Sequence, residues 1–162
     1  MRPRILTLAA LFALAASRLL AGTTADAAFE RIAHDFIESY LRQNPENATE
    51  IGDHRYDGQL TDYSAAGRDA AAATLRGTLA ALATVDAAQL TGPNRVDAQI
   101  LRQHVEYELF TLEQLRPFAN NPRLYQSSFA DCIYELSPRG QAPADVRLRA
   151  IAQRLAAMPR VI

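Results

Sequence analysis

The sequence contains no lysine and no tryptophan, only one cysteine and only three histidines. The single cysteine, Cys132, excludes an internal disulfide, so packing must stabilise the fold. The histidines His34, His54 and His104 include no pair spaced by four residues, which excludes an H-E-x-x-H zinc helix from these 162 residues. All 17 basic residues are arginines scattered along the chain, and the net charge of −1 argues against a nucleic-acid partner.

Long apolar runs are also lacking, with one exception at the N-terminus. There Arg2 and Arg4 precede the apolar stretch Ile5–Ala16, which is the pattern of a secretory signal peptide. The stretch is too short to span a bilayer, and extending it would include Arg18 at a cost of about 2.5 kcal/mol. We predict that residues 1–27, which end in an A-x-A sequence, are cleaved as a signal peptide. The protein is then periplasmic or secreted, with no membrane attachment after cleavage.

No segment alternates polar and apolar residues for long enough to predict a strand, whereas apolar residues recur at three- and four-residue intervals. The sequence therefore predicts an all-α fold of several amphipathic helices with irregular connecting loops. Asp26, Pro45 and Ser64 are typical of helix starts. The predicted helices cover residues 29–43, 45–51, 65–84, 94–116, 124–136 and 143–158. In two of these helices the predicted core residues are Val96, Ile100, Leu101, Val105, Leu109, Leu112, Val146, Leu148, Ile151 and Leu155.

The stretch Asn44–Ser64 cannot be explained by helix amphipathicity alone. Its centre, between two glycines, is the candidate cleft loop Asp53, His54, Arg55, Tyr56 and Asp57. Such a polar and aromatic run is costly to bury unless each group finds a partner. Two interpretations remain open. Either Asp57 and Asp62 pair with Arg55 or cap nearby helices, or the loop faces a substrate cleft.

Three other features have a functional and a simpler interpretation. His104 and Glu108 lie one helical turn apart and could supply two metal ligands, but an ordinary surface pair is favoured. The loop matches some positions of a calcium site, but Arg55 occupies a ligand position. Cys132 lies among apolar residues with no histidine near it, which predicts a buried, unreactive thiol. We therefore predict no catalytic and no metal-binding residue in this chain.

The same stretch resembles the N-terminal signature of the bacterial domain of unknown function 885 family, NP-x-x-AT-x-x-G-x-x-x-x-D-G-x-L-x-D-x-S. The matching residues are Asn44, Pro45, Ala48, Thr49, Gly52, Asp57, Gly58, Leu60, Asp62 and Ser64. Further similar pieces are Asp97–Leu101, Asn121-Pro122 with Tyr125, and Arg154-Leu155 with Pro159. The resemblance implies a long, all-helical extracytoplasmic protein that looks like a zinc metallopeptidase, with H-E-x-x-H in its C-terminal half and zinc as cofactor.

The H-E-x-x-H motif is absent here, so the resemblance implies that residues 28–162 are the N-terminal helical region of such a protein, truncated, and an incomplete portion of a larger helical domain. We expect no cofactor in this chain and no hydrolysis by it alone, because a zinc site needs three protein ligands. The first hypothesis is an exported helical fragment without the catalytic motif, whose partner is the missing C-terminal half if that half is encoded separately. The alternative is a self-sufficient periplasmic helical module that binds a partner through its apolar faces or the candidate cleft loop.

Overall fold

The computed structural model describes residues 24–137 and 142–160, and every regular element in these ranges is helical. Residues 24–43 belong to the first helix, α1. It is followed by α2 (Pro45–Glu50), α3 (Ala65–Ala83), α4 (Gly92–Phe110), α5 (Pro117–Asn120), α6 (Arg123–Tyr134) and α7 (Ala144–Ala157). Short 3-10 turns lie at His54–Tyr56, Ala87–Gln89 and Met158–Arg160, and a π-helical turn lies at Thr111–Leu115. The predicted all-α class is confirmed.

The sequence predicts that the first helix starts at Phe29, but residues 24–28 are already helical in the structure. Asp26, the expected N-cap, is inside the helix, and its carboxylate accepts a hydrogen bond from the Thr91 backbone N–H at 3.0 Å. This bond lowers the pKa of Asp26 and ties this part of α1 to the start of α4. Most of the predicted signal peptide, residues 1–23, lies outside the described residues, so its cleavage stays a prediction. Among the described helices, none combines the length and the apolar character that a membrane crossing requires.

Helix boundaries follow largely from local chemistry. Pro45 occupies the first position of α2, where its missing N–H is no loss. The Ser64 hydroxyl accepts a hydrogen bond at 3.2 Å from the backbone N–H three residues on, so it caps α3 as predicted. The helix predicted to reach Arg116 instead becomes a π-helical turn after α4, and Arg116 itself is left-handed with φ 48°. Pro117 explains this break, because the residue before a proline is disfavoured in the α conformation.

A core forms where α1, α3 and α4 pack against one another. Phe36 of α1, Leu75 of α3 and Val105 of α4 form one buried cluster. Phe29 of α1 and Leu82 of α3 belong to a second buried cluster nearer the start of α1. Burying each such side chain stabilises the fold by roughly 2 kcal/mol, so these contacts fix the mutual placement of the three long helices.

Two apolar stripes run along α4, and only one of them is buried. Val105 is fully buried, whereas Val96 and Ile100, which were predicted to be core residues, are 55% and 58% exposed. Tyr107 and Phe110 continue the exposed stripe. The prediction for Val96 and Ile100 is wrong because both stripes repeat at helical spacing, and the spacing alone does not say which stripe faces the core.

A similar correction applies to α7, whose buried residues are Ala150 and Arg154. Val146, Leu148 and Leu155 were predicted to face the core, but they are 42%, 64% and 52% exposed. An arginine one turn after a small alanine takes the inward face instead.

Candidate functional site

Arg154 is completely buried, and its guanidinium joins three helices. Nη1 donates a hydrogen bond to the Cys132 carbonyl oxygen of α6 at 2.6 Å. Nη2 donates to the Thr49 hydroxyl of α2 at 2.7 Å and lies 3.5 Å from the Pro45 carbonyl oxygen. Nε has no hydrogen-bond partner among the described residues. The side chain therefore fixes α2 and α6 against α7 through its two terminal nitrogens.

From Arg154 a chain of polar contacts leads to the surface through Thr49. The Thr49 hydroxyl lies 2.9 Å from Asp57 Oδ1 and 3.0 Å from the Pro45 carbonyl oxygen, and it has one proton to donate. The carboxylate is the stronger acceptor. Asp57 Oδ2 in turn lies 3.0 Å from His54 Nδ1 at the protein surface. We call Arg154, Thr49, Asp57 and His54 the arginine node.

Burial lowers the pKa of Arg154, because removing the guanidinium from water disfavours its charged form, while the nearby carboxylates of Glu46 and Asp57 oppose the shift. An arginine stays protonated under such conditions. The charge is thus held inside the protein by hydrogen bonds to neutral oxygens and by two acids at longer range. Glu46 is itself engaged, since its carboxylate accepts hydrogen bonds from the Thr61 N–H at 3.1 Å and hydroxyl at 2.5 Å.

The candidate cleft loop is divided between this node and the surface. Arg55 pairs with Asp53 at 2.6 Å and with Glu38 at 2.8 Å, and its guanidinium carbon lies 5.2 Å from the centre of the Tyr56 ring. Hydrogen bonds from Arg55 lower the pKa of both carboxylates. The expected pairing of Asp57 with Arg55 is wrong, because Asp57 bonds Thr49 and His54 instead. Asp62 neither pairs with Arg55 nor caps α3: its carboxylate accepts a hydrogen bond from the Ser64 N–H at 2.9 Å, and Ser64 itself is the N-cap.

A shallow, open hollow of about 520 Å³ lies between α1 and α4. A more enclosed cavity of about 370 Å³, which we call the large cavity, lies between α1, the segment after the loop, α3 and the end of α4. None of the five loop residues lines it, although His54 and Asp57 border a much smaller crevice. Whether the candidate cleft loop faces a substrate stays a prediction. The lining of the large cavity includes Tyr40, Arg42, Leu60, Tyr63, Arg68, Ala71, Leu75, Glu108, Thr111, Leu112 and Phe118.

An aromatic cluster forms one wall of this cavity. The rings of Tyr63 and Phe118 have centres 4.4 Å apart, and Tyr125 of α6 packs edge-on against Phe118 at 5.2 Å. Burial raises the pKa of the Tyr63 phenol, and it does the same for Tyr40 on another side of the cavity. Both phenols are therefore neutral at physiological pH.

The remaining predicted groups serve in packing. The centre of the His104 ring lies 5.9 Å from the centres of both the Phe36 and the Tyr40 rings, so the half-buried imidazole belongs to the edge of the core. Cys132 is fully buried, as predicted, and burial raises the pKa of its thiol to about 11. The described residues include no group of three or more potential metal ligands from His, Cys, Asp and Glu.

Sequence reasoning missed the role of Arg154 and the whole large cavity. Arg154 was identified only as a position that resembles the family, and a buried arginine has the same sequence appearance as an exposed one. The aromatic cluster joins three separate segments through Tyr63, Phe118 and Tyr125, so no local sequence spacing could predict that these rings are in contact.

Comparison with known protein families found one that matches the chain. Its description is bacterial protein of unknown function (DUF885), and the match covers residues 45–162. The matched region begins at the proline of α2 and includes the arginine node, the cavity segment after the loop and all helices from α2 to α7. No curated protein and no solved structure matches the chain.

Proposed function

Since this chain belongs to the DUF885 family of bacterial proteins, we propose that it is an exported helical region that supports a zinc-peptidase-like protein structurally and does not itself hydrolyse peptides. The observation that carries the proposal is how the signature residues are used. The hydroxyl of the signature residue Thr49 accepts a hydrogen bond from the buried Arg154 and contacts Asp57 Oδ1, and Asp57 Oδ2 pairs with His54, so the polar atoms of both signature residues are already occupied by protein groups. Groups held in this way stabilise the fold and are poorly placed to contact a substrate.

Export is supported by the charged, then apolar, then A-x-A pattern of residues 1–27. The test is the N-terminus of the protein recovered from the periplasm or medium of a bacterial host, measured by mass spectrometry. A processed chain is expected for the natural sequence. Leu11→Arg, which interrupts the apolar run, is expected to leave the chain unprocessed, whereas Thr7→Ser is expected to change nothing. Unprocessed natural chain in the cytoplasm would contradict export.

A supporting role without hydrolysis is tested by zinc titration of the purified protein, followed by incubation with casein and with short peptides. We expect neither stoichiometric tight binding nor chelator-sensitive hydrolysis, because zinc catalysis needs three protein ligands and a base in one place. One equivalent of tightly bound zinc together with hydrolysis would overturn the proposal.

The exposed apolar stripe of α4, on which Ile100 is 58% and Tyr107 61% exposed, supports a further helical segment as partner, including one encoded separately.

A second candidate function, a periplasmic binding module, is favoured by the large cavity. Its volume of about 370 Å³ is within the usual range of small-molecule sites, and its lining combines aromatic and aliphatic side chains with several polar and charged ones. The two candidates predict different results: a supporting region alone binds no small molecule, whereas a binding module does so without any partner.

A further inference from the structure

The large cavity is lined by groups that together define a chemical class of ligand. We propose that it binds a small apolar acid that also carries a hydrogen-bond donor, that is, an α-hydroxy or α-amino acid with an aromatic or branched side chain. The inference rests on the second candidate function and adds the identity of the ligand class. The proposed binding site has three parts: an apolar wall, a pair of arginines and two hydrogen-bond acceptors without a partner among the described residues.

The apolar part of the ligand is accommodated by the aromatic wall and by leucines from three segments. Tyr63 and Phe118 present two rings whose centres are 4.4 Å apart, and both line the cavity. Leu60, Leu75 and Leu112 line it as well. Aromatic rings pack favourably against other rings and against branched aliphatic groups, so this wall suits a phenyl or isobutyl side chain.

The carboxylate of the ligand is matched by Arg42 and Arg68. Arg42 lines the cavity and has no ion pair or hydrogen bond of its side chain among the described residues. Arg68 also lines it, and its Nη1 donates to the Tyr63 carbonyl oxygen, which holds the guanidinium against the cavity wall. Arginine binds carboxylates through paired N–H donors, so one free and one fixed guanidinium form a suitable anion site.

The donor of the ligand is matched by Thr111 and Glu108, both of which line the cavity. Thr111 Oγ1 is buried and has no hydrogen-bond partner among the described residues. On α3, by contrast, the hydroxyls of Thr74 and Thr78 bond the carbonyl oxygen four residues earlier, each at 3.1 Å. Thr111 differs because it begins the π-helical turn, and such turns are frequent at functional sites.

Glu108 has a second consequence for the ligand. Its carboxylate is half-buried in the same lining and would repel a ligand with two negative charges, whereas it accepts a hydrogen bond from a hydroxyl or an ammonium group. Asp62 also lines the cavity, with one carboxylate oxygen accepting a hydrogen bond from the Ser64 N–H, so two arginines face two acids, and this balance favours a ligand with one carboxylate and one donor. Both α-hydroxy and α-amino acids satisfy this requirement.

The experiment is titration of the purified protein with phenyllactate and phenylalanine, followed by calorimetry or by backbone amide NMR shifts. Phenyllactamide serves as the uncharged analogue. For ligands of this size we expect a Kd of roughly 0.05–1 mM for at least one acid, and binding of the amide at least about fivefold weaker. A preference for phenyllactate identifies the hydroxy acid as the natural class, and a preference for phenylalanine identifies the amino acid.

Two matched pairs of variants locate the site. Arg42→Gln is expected to weaken binding of the acid about fivefold, while Arg31→Gln, an exposed arginine on the same helix outside the lining, leaves it unchanged. Ala71→Met places a larger side chain in the cavity and is expected to abolish binding, whereas Ala73→Met on the same helix does not.

The proposal is overturned if neither acid binds at about 10 mM, if the amide binds as tightly as the acids, or if the Arg42 and Ala71 variants bind like the natural protein. These results separate it from the binding function on which it rests. Amide binding that Ala71→Met blocks would keep the cavity as a binding site and reject only the acid assignment. Absence of binding by all three compounds would remove the evidence for both.

Discussion

Replacing Arg154 by methionine tests whether the arginine node stabilises the fold. The change keeps most of the aliphatic stem and removes the two hydrogen bonds from the guanidinium to the Cys132 carbonyl and the Thr49 hydroxyl. Hydrogen bonds from a charged donor contribute about 1.5–3 kcal/mol each, and relief of the buried charge offsets part of their loss. We expect a net loss of about 3 kcal/mol in the free energy of unfolding.

The assay is urea unfolding followed by far-UV circular dichroism at neutral pH. With an m value of roughly 1.5 kcal/mol/M for a chain of this size, the midpoint should fall by about 2 M. Arg149→Met on the same helix is the control, because its ion pair with Asp145 has side chains 71% and 72% exposed. That control should move the midpoint by less than about 0.5 M.

Equal midpoints for the Arg154 and Arg149 variants would refute the reasoning. If Arg154→Met does not fold, Arg154→Lys tests the same role of the guanidinium with a smaller expected loss of stability. Lysine keeps the charge but has a single nitrogen, which cannot reproduce the two-armed contact to Cys132 and Thr49. Its midpoint should lie clearly below that of the natural protein, and an unchanged midpoint would again contradict the role assigned to the guanidinium.

Three further predictions concern the loop and the thiol. Gly52→Ala should destabilise the protein by about 1 kcal/mol, because Gly52 has φ +89°, which an alanine adopts only with strain, although a Cβ there would meet no atom within 4 Å. Gly77→Ala inside α3 should instead stabilise the protein by about 0.5 kcal/mol, because alanine favours the helix and its Cβ also meets no atom within 4 Å. Urea unfolding of both variants should show free-energy changes of opposite sign. Arg55 lowers the pKa of Asp53, so this pair stabilises the fold above the ordinary carboxyl pKa of about 4 and loses its contribution as pH falls through the lowered value. Arg55→Gln should therefore flatten the stability profile below about pH 4, and an unaltered acid limb would contradict the pairing. Cys132, buried and with its pKa raised to about 11, should react with iodoacetamide at pH 8 only after unfolding, and rapid labelling of the folded protein would contradict its burial.

The helical class and several helix boundaries could be predicted because they depend on neighbouring residues. Pro45 and Ser64 act locally, through a fixed φ and a capping hydroxyl, and both occupy the predicted positions. The π-helical turn before Arg116 was not predicted. It depends on how the end of α4 meets Pro117, and helical spacing continues through it without a visible change.

The choice of buried face could not be predicted for α4 and α7. On α4 the residues Val96 and Val105 are nine positions apart and lie on opposite sides of the helix, so both sides are apolar and only packing decides between them. On α7 the buried position belongs to Arg154, which any hydropathy pattern assigns to solvent. Its partners are Thr49, which lies 105 residues away in sequence, and Cys132, so this contact is invisible to local reasoning.

The signature residue Thr49 and the buried Arg154 stabilise the fold together. A double-mutant cycle of Thr49→Val and Arg154→Met, followed by urea unfolding, measures the coupling between the two side chains. The hydrogen bond between them at 2.7 Å predicts a coupling free energy of about 1–2 kcal/mol, with the double variant less destabilised than the sum of the two single variants. Strictly additive effects, with a coupling below about 0.3 kcal/mol, would contradict a joint role of Thr49 and Arg154.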